Sequence, residues 1–358
     1  MKKALINLIS LTMLALVTGC NNANNPAGTS SEPLIDSSSL ESSEVSTTSE
    51  SSIQSSSSSA KDYVDNQLST ESGLKVSFEA TGAKISSINW GTKQIASNGF
   101  TVGRVAGRIA QGKFTLNGKQ YNIGTNNNGN SLHGGGTGDQ WNGPFANARW
   151  TKDSQTSSTI TYKYTSPAGE SGFPGKMEMT VVYSLTQNGE LSIEYTATTT
   201  ADTLCNPTNH LYININAANN YNNIKLWVFG DNYTPLNSND IPTGDVSPVE
   251  GTKFDYRTEK SFNGSESYDH NYVLNTTEGE DFRKVATLTG TSSKIKVDVY
   301  TDRPGMQLYK ENSGKICLET QMLPDAINHP EFDAYGTTIL RAGETFRSKT
   351  TYHFSQIQ

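Results

Sequence analysis

The chain has 358 residues, with 35 acidic against 28 basic side chains and a formal charge of −7. No basic cluster interrupts that acidic balance, which excludes a nucleic-acid surface. Its three cysteines lack the spacing of a metal finger, which excludes a small zinc scaffold.

Met1-Lys-Lys is followed by an apolar run from Ala4 to Val17 and then by Thr18-Gly19-Cys20. A basic start, a short apolar core and small residues before a cleavage point make a secretory signal, too short to span a bilayer as a helix. Val17-Thr-Gly-Cys20 further resembles a bacterial lipobox. Residues 1–20 are therefore expected to be a lipoprotein signal peptide with Cys20 lipidated; the alternative is an ordinary signal with an incidental cysteine. Residues 21–70 are expected to be a disordered tether. From Asn21 to about Ala60 they are rich in Ser and Thr, carry scattered acids and contain no Lys or Arg, so burial cannot offset the entropy of ordering them. Some 40 such residues reach roughly 35 Å. Loss of Lys2 and Lys3 with the leader takes the charge from −7 to −9. The expected location is the bacterial cell surface or the periplasmic face, held to the membrane by the lipid alone.

Residues 71–358 read as one all-β domain, long enough to bury a large core. Leu74–Phe78, Ile160–Tyr164, Met177–Tyr183, Leu191–Tyr195, Ile295–Tyr300 and Thr350–Phe354 all alternate with period two. Asn117-Gly118 predicts a type I′ hairpin within Phe114–Tyr121, and Gln187–Glu190 predicts a second hairpin. No stretch holds helical periodicity beyond two turns. Once Cys20 is set aside, Cys205 and Cys317 remain, as an inter-strand disulfide or, preferably, as two separate buried thiols.

Two strand-like runs carry side chains suited to proton transfer. His210 lies in Cys205-Asn-Pro-Thr-Asn-His-Leu-Tyr-Ile-Asn214, and about 110 residues later Glu319 lies in Ile316-Cys-Leu-Glu-Thr-Gln-Met-Leu-Pro-Asp325. Brought to one pocket, an imidazole and a carboxylate make a general acid/base pair. Taken singly, each also reads as a satisfied buried polar residue.

The flanks of both residues resemble the aldose 1-epimerase (galactose mutarotase) family. Gly103-Arg-Val-Ala-Gly-Arg-Ile109, Gly112-Lys-Phe-Thr-Leu-Asn-Gly-Lys119, Ser131-Leu-His-Gly-Gly135, Gly172-Phe-Pro-Gly175, Pro207-Thr-Asn-His-Leu-Tyr212, Tyr268-Asp-His-Asn-Tyr-Val-Leu274 and Leu318-Glu-Thr-Gln321 with Pro324-Asp325 occur in the family's order. The resemblance spans roughly residues 72 to 357. It implies a large antiparallel β-sandwich with an open sugar cleft, and interconversion of the α and β anomers of free aldohexoses without a cofactor. It further implies Glu319 as base and His210 as acid, with His133 and Asp269 on sugar hydroxyls. Arg108 would hold substrate oxygens or orient Glu319, and galactose or glucose would be the substrate. Trp141 reads equally as a stacking platform and as core. Gly107 stands where the family usually has Asn, and Leu211 and Ile213 replace the common Ser and Phe beside the histidine; these changes bear on which sugar fits.

Three other readings compete. His133, His210, Asp269, His270 and Glu319 are potential metal ligands, yet no His-x-His or His-Glu-x-x-His spacing supports a metal site. A noncatalytic carbohydrate-binding surface lipoprotein on the same fold has no need of both His210 and Glu319. A glycoside hydrolase would use Asp269 and Glu319 as its two carboxylates.

Overall fold

Period-two alternation in the sequence becomes two large antiparallel sheets packed face to face. The computed structural model describes residues 64–136 and 143–357. The readings of residues 1–20, including Cys20, of residues 21–63 and of Trp141 lie outside the described residues.

Five strands of the ten-stranded sheet position the site. They are β1 (Lys93–Val102), β2 (Thr208–Ile213), β3 (Asp269–Val273), β4 (Gly305–Lys310) and β5 (Ile316–Gln321), and they lie side by side in the order β1-β2-β5-β4-β3. The nine-stranded sheet is centred on Ile295–Thr301, Phe346–Gln356 and Glu190–Thr199. Alternate residues of both sheets meet in one core: Leu211, Leu308 and Leu318 from the first, Val181, Ile193 and Phe354 from the second, all at most 1% exposed. Burying each such side chain contributes roughly 1.5–3 kcal/mol. The Tyr352 hydroxyl donates across the core to the Leu318 carbonyl at 2.8 Å, so a polar tip in the core is satisfied.

The expected hairpin is present. Lys113–Leu116 pairs with Lys119–Asn122, and Asn117 and Gly118 take φ of 51° and 73°, the two positive values of a type I′ turn. Met177–Leu185 and Glu190–Thr199 likewise form a hairpin. Among the described residues helix is confined to Gly143–Asn147 and short 3-10 turns, and no helix there is long and apolar enough to cross a membrane. Cys205 and Cys317 are separate, buried free thiols. One boundary is corrected: the stretch 21–70 read as tether ends in ordered sheet. Gln67–Ser69 pairs with Leu74–Glu79, because Leu68 has a place in the core.

Candidate active site

Strand alternation divides β2, β4 and β5 between two environments. Leu211 and Ile213, Met306 and Leu308, and Ile316 and Leu318 face the core, so His210 and Tyr212, Gln307 and Tyr309, and Glu319 and Gln321 face the other way. These side chains, with Asp269 of β3 and Asn98 and Phe100 of β1, line an open cleft of about 620 Å³. The register shifts between His210 and Tyr212 where β2 runs along β1, leaving an extra residue on β1 beside Asn98, whose φ is 53°. Bulges of this kind re-aim side chains next to sites.

His210 Nε2 lies 3.4 Å from Glu319 Oε1, and both side chains are almost fully buried. Burial drives both groups toward their uncharged forms. It lowers the His210 imidazole to about 4, opposed by its own backbone and by Asp269. It raises the Glu319 carboxyl well above the usual carboxylate range; Asp269 adds to this shift and Arg108 opposes it. The Tyr212 ring stacks on His210 with centroids 4.8 Å apart.

His133 reaches the same place from a loop. Arg108–Ile109 pairs with Ser131–Leu132, so Arg108 and His133 enter the cleft together. The His133 ring meets His210 edge-on at 5.4 Å. Its backbone N–H donates to the Gly107 carbonyl at 2.9 Å, and the Gly107 N–H donates to its Nδ1 at 3.3 Å. Burial, then His210 and Arg108, hold this imidazole well below its ordinary value. A neutral ring that accepts at Nδ1 carries its proton on Nε2, which makes His133 a standing hydrogen-bond donor.

Asp269 accepts from Gln307 Nε2 at 2.8 Å and from Arg108 Nη1 at 3.3 Å. Arg108 also donates from Nε to Asn127 at 3.0 Å and lies 3.6 Å from Asp240. Its hydrogen-bonding partners are thus Asp269 and Asn127; toward Glu319 it acts through its charge alone. The five residues to which the sequence resemblance gives catalytic or sugar-binding roles, Arg108, His133, His210, Asp269 and Glu319, converge on one cleft. His270 does not: one residue beyond Asp269, it turns to the opposite face and packs on Phe254 at 4.5 Å.

Candidate ligand atoms of His133, His210 and Glu319 lie within 4.8 Å of one another, close enough to suggest a metal centre. The tautomer of His133 argues against one. With the proton on Nε2, this ring has a lone pair only on Nδ1, and the Gly107 N–H occupies it. His210 and Glu319 alone are one ligand short of the three protein ligands of a catalytic zinc site.

A sequence model of the aldose 1-epimerase family matches residues 66–353. The chain belongs to the aldose 1-epimerase family. Its aldose 1-epimerase relatives include the galactose mutarotase of Mus musculus, 36% identical over 72% of this chain and 78% of that protein. Another is the aldose 1-epimerase of Escherichia coli, 31% identical over 73% of this chain and 81% of that protein. An aldose epimerase homologue from C. elegans shares the fold, with a TM-score of 0.74 at 22% identity over 82% of this chain and 98% of that one. Galactose 1-epimerase from Lactobacillus acidophilus superposes with a TM-score of 0.71, also at 22% identity, over 82% and 94% of the two chains.

Sequence reasoning missed Gln307, Tyr212 and Tyr309 as cleft residues. Tyr212 was within reach, being two residues from His210 on the same face of a strand. Gln307 and Tyr309 face the site only because β4 lies between β5 and β3, which no local pattern reveals.

Proposed function

We propose that this chain is an isomerase that interconverts the α and β anomers of free aldohexoses by acid/base ring opening and closure. The contact between His210 Nε2 and Glu319 Oε1, on the floor of a cleft large enough for a sugar, carries the reading. The pair works with one shared proton. Glu319 as carboxylate takes the proton of the anomeric hydroxyl while His210 as imidazolium gives its own to the ring oxygen. The ring carbon–oxygen bond breaks, the aldehyde forms, and the pair is left as carboxylic acid and neutral imidazole. Rotation about the bond to the carbonyl carbon exposes its other face, and the reverse transfers close the opposite anomer. The proton count never changes and neither substrate nor product is oxidised, so these steps need no cofactor.

His133, fixed as an Nε2–H donor, suits a neutral hydrogen bond to a sugar oxygen. Asp269, held by Gln307 and Arg108, offers acceptor oxygens to neighbouring hydroxyls. Relatives named galactose mutarotase make galactose the first sugar to test, with glucose beside it. The lipobox-like Val17–Cys20 supports export and anchoring through lipidated Cys20, with the domain carried on residues 21–63.

The test is polarimetry of freshly dissolved α-D-galactose and α-D-glucose with the full chain. Faster equilibration is expected, and Glu319→Gln and His210→Asn should each lower kcat by at least about 10²-fold. A folded Glu319→Gln variant retaining wild-type kcat would sink the assignment.

A further inference from the structure

Gln321 is wholly buried, at 0% exposure, yet among the described residues neither its side-chain Nε2 nor its Oε1 has a hydrogen-bond partner. It lines the cleft, two residues beyond Glu319 on the same face of β5. A buried amide with no partner is disfavoured, and an apolar side chain of similar shape would be neutral or better at that position. The amide next to it is half satisfied. Gln307, opposite Glu319 in register, donates its Nε2 to Asp269 and leaves its own Oε1 without a partner. Glu319 is therefore flanked by two side-chain amides with unused hydrogen-bonding capacity.

The wall beside Gln321 is thinned. Gly107 has φ of +74°, and a Cβ there would come within 3.0 Å of Pro324 and 3.6 Å of Gln321 Nε2. A side chain at 107 would therefore crowd both the Pro324 ring and the Gln321 amide. Two residues along a strand span about 7 Å, of the order of the width of a pyranose ring. A pyranose whose anomeric hydroxyl meets Glu319 is therefore long enough to bring a remote hydroxyl to Gln321.

We propose that Gln321 is a substrate-binding residue, its amide donating to and accepting from the aldose hydroxyls remote from the anomeric carbon, at C3 and C4. This rests on the epimerase reading of the same cleft. On binding, the hydroxyls supply the partners that the amide lacks, so Gln321 reads the sugar at some cost in stability to the free protein.

The test uses Gln321→Leu and Gln321→Met in the full chain, with thermal unfolding, mutarotation kinetics and calorimetric binding of 1,5-anhydro-D-galactitol. That ligand has no anomeric hydroxyl and is not turned over. The expected result is a rise of about tenfold or more in KM for galactose and in Kd for the anhydro sugar, with Tm unchanged or higher. The penalty should disappear when 3-deoxy- or 4-deoxygalactose replaces galactose, because the hydroxyl that Gln321 reads is then already gone. A lowered Tm with unchanged KM and Kd would make Gln321 structural and overturn the proposal. So would no change in any quantity, or a KM penalty equal for every deoxy sugar. If the wild type binds the anhydro sugar but shows no mutarotation, the epimerase reading fails while the Kd comparison still tests Gln321.

Discussion

His210 and Glu319 share an environment that disfavours charge on either, and this fixes how the reaction should respond to pH. A second proton enters the pair as pH falls through the lowered His210 value, about 4, leaving imidazolium beside carboxylic acid and no base. The last proton leaves as pH rises through the raised Glu319 value, leaving carboxylate beside neutral imidazole and no acid. kcat/KM for galactose should therefore be bell-shaped. Its acid limb should lie near 4 and its alkaline limb well above the usual carboxylate range, both belonging to the pair rather than to either residue. Initial-rate polarimetry across pH, corrected for the spontaneous reaction, measures this. A profile with one limb at the ordinary imidazole value of about 6.5 would mean an independently titrating histidine and contradict the shared proton. The identities of these two residues were legible in the sequence because each interrupts an apolar strand with a proton-transfer group. Their lowered and raised affinities for protons were not, since those come from burial in the assembled sheet and from the charge of Asp269 on a distant strand.

The loop that delivers His133 depends on glycines for a steric reason. His133 itself has φ of +54°, and Gly134 follows at +87° with its α-carbon pressed against the Gly103–Arg104 backbone. A Cβ at Gly134 would lie 2.1 Å from the Gly103 carbonyl oxygen, a contact that only displacement of the loop can relieve. Gly129 provides the control: its φ is +79°, but a Cβ there meets nothing within 4 Å. Gly129→Ala should cost roughly 1 kcal/mol from backbone conformation and leave kcat/KM near wild type. Gly134→Ala should cost at least about 2 kcal/mol more and lower kcat/KM by at least about tenfold, through loss of the His133 position. Urea unfolding and galactose kinetics on both variants decide it; equal effects from the two would remove the steric account. At this scale the sequence was informative about strands and turns, because alternation and Asn117-Gly118 are local signals. It was silent on which strands are neighbours. β1, β2 and β5 are adjacent although more than 100 residues separate each from the next along the chain, and only the assembled sheet brings Gln307 and Asp269 to the same face as Glu319.

Across the whole molecule, the site lies on the face of the ten-stranded sheet that turns away from the core, so recognition and stability draw on alternate residues of the same strands. Leu211, Leu308 and Leu318 hold the sheet in place while His210, Gln307 and Glu319 line the cleft. The proposed attachment of the domain to a membrane is a separate matter, and the sequence bears on it through charge as well as motif. With Lys2 and Lys3 removed, the remaining −9 opposes adsorption to an anionic lipid surface. The apolar run from Ala4 to Val17 falls well short of the roughly 20 residues that a spanning helix needs. We propose that acyl chains on Cys20 hold the protein, each buried methylene contributing about 0.8 kcal/mol, with more than one chain required for stable anchoring. Since neither electrostatics nor a spanning helix would substitute for them, Cys20→Ser should move the protein almost completely from the membrane fraction to the soluble or secreted fraction. The specific mutarotase activity of the released protein should match the wild type, because the domain that carries the cleft is unchanged in sequence. Fractionation of bacterial cells expressing the two forms, with detergent-phase partitioning as a second readout, measures this directly. Equal partitioning of wild type and Cys20→Ser would rule out the lipid anchor and leave residues 1–20 as an ordinary leader.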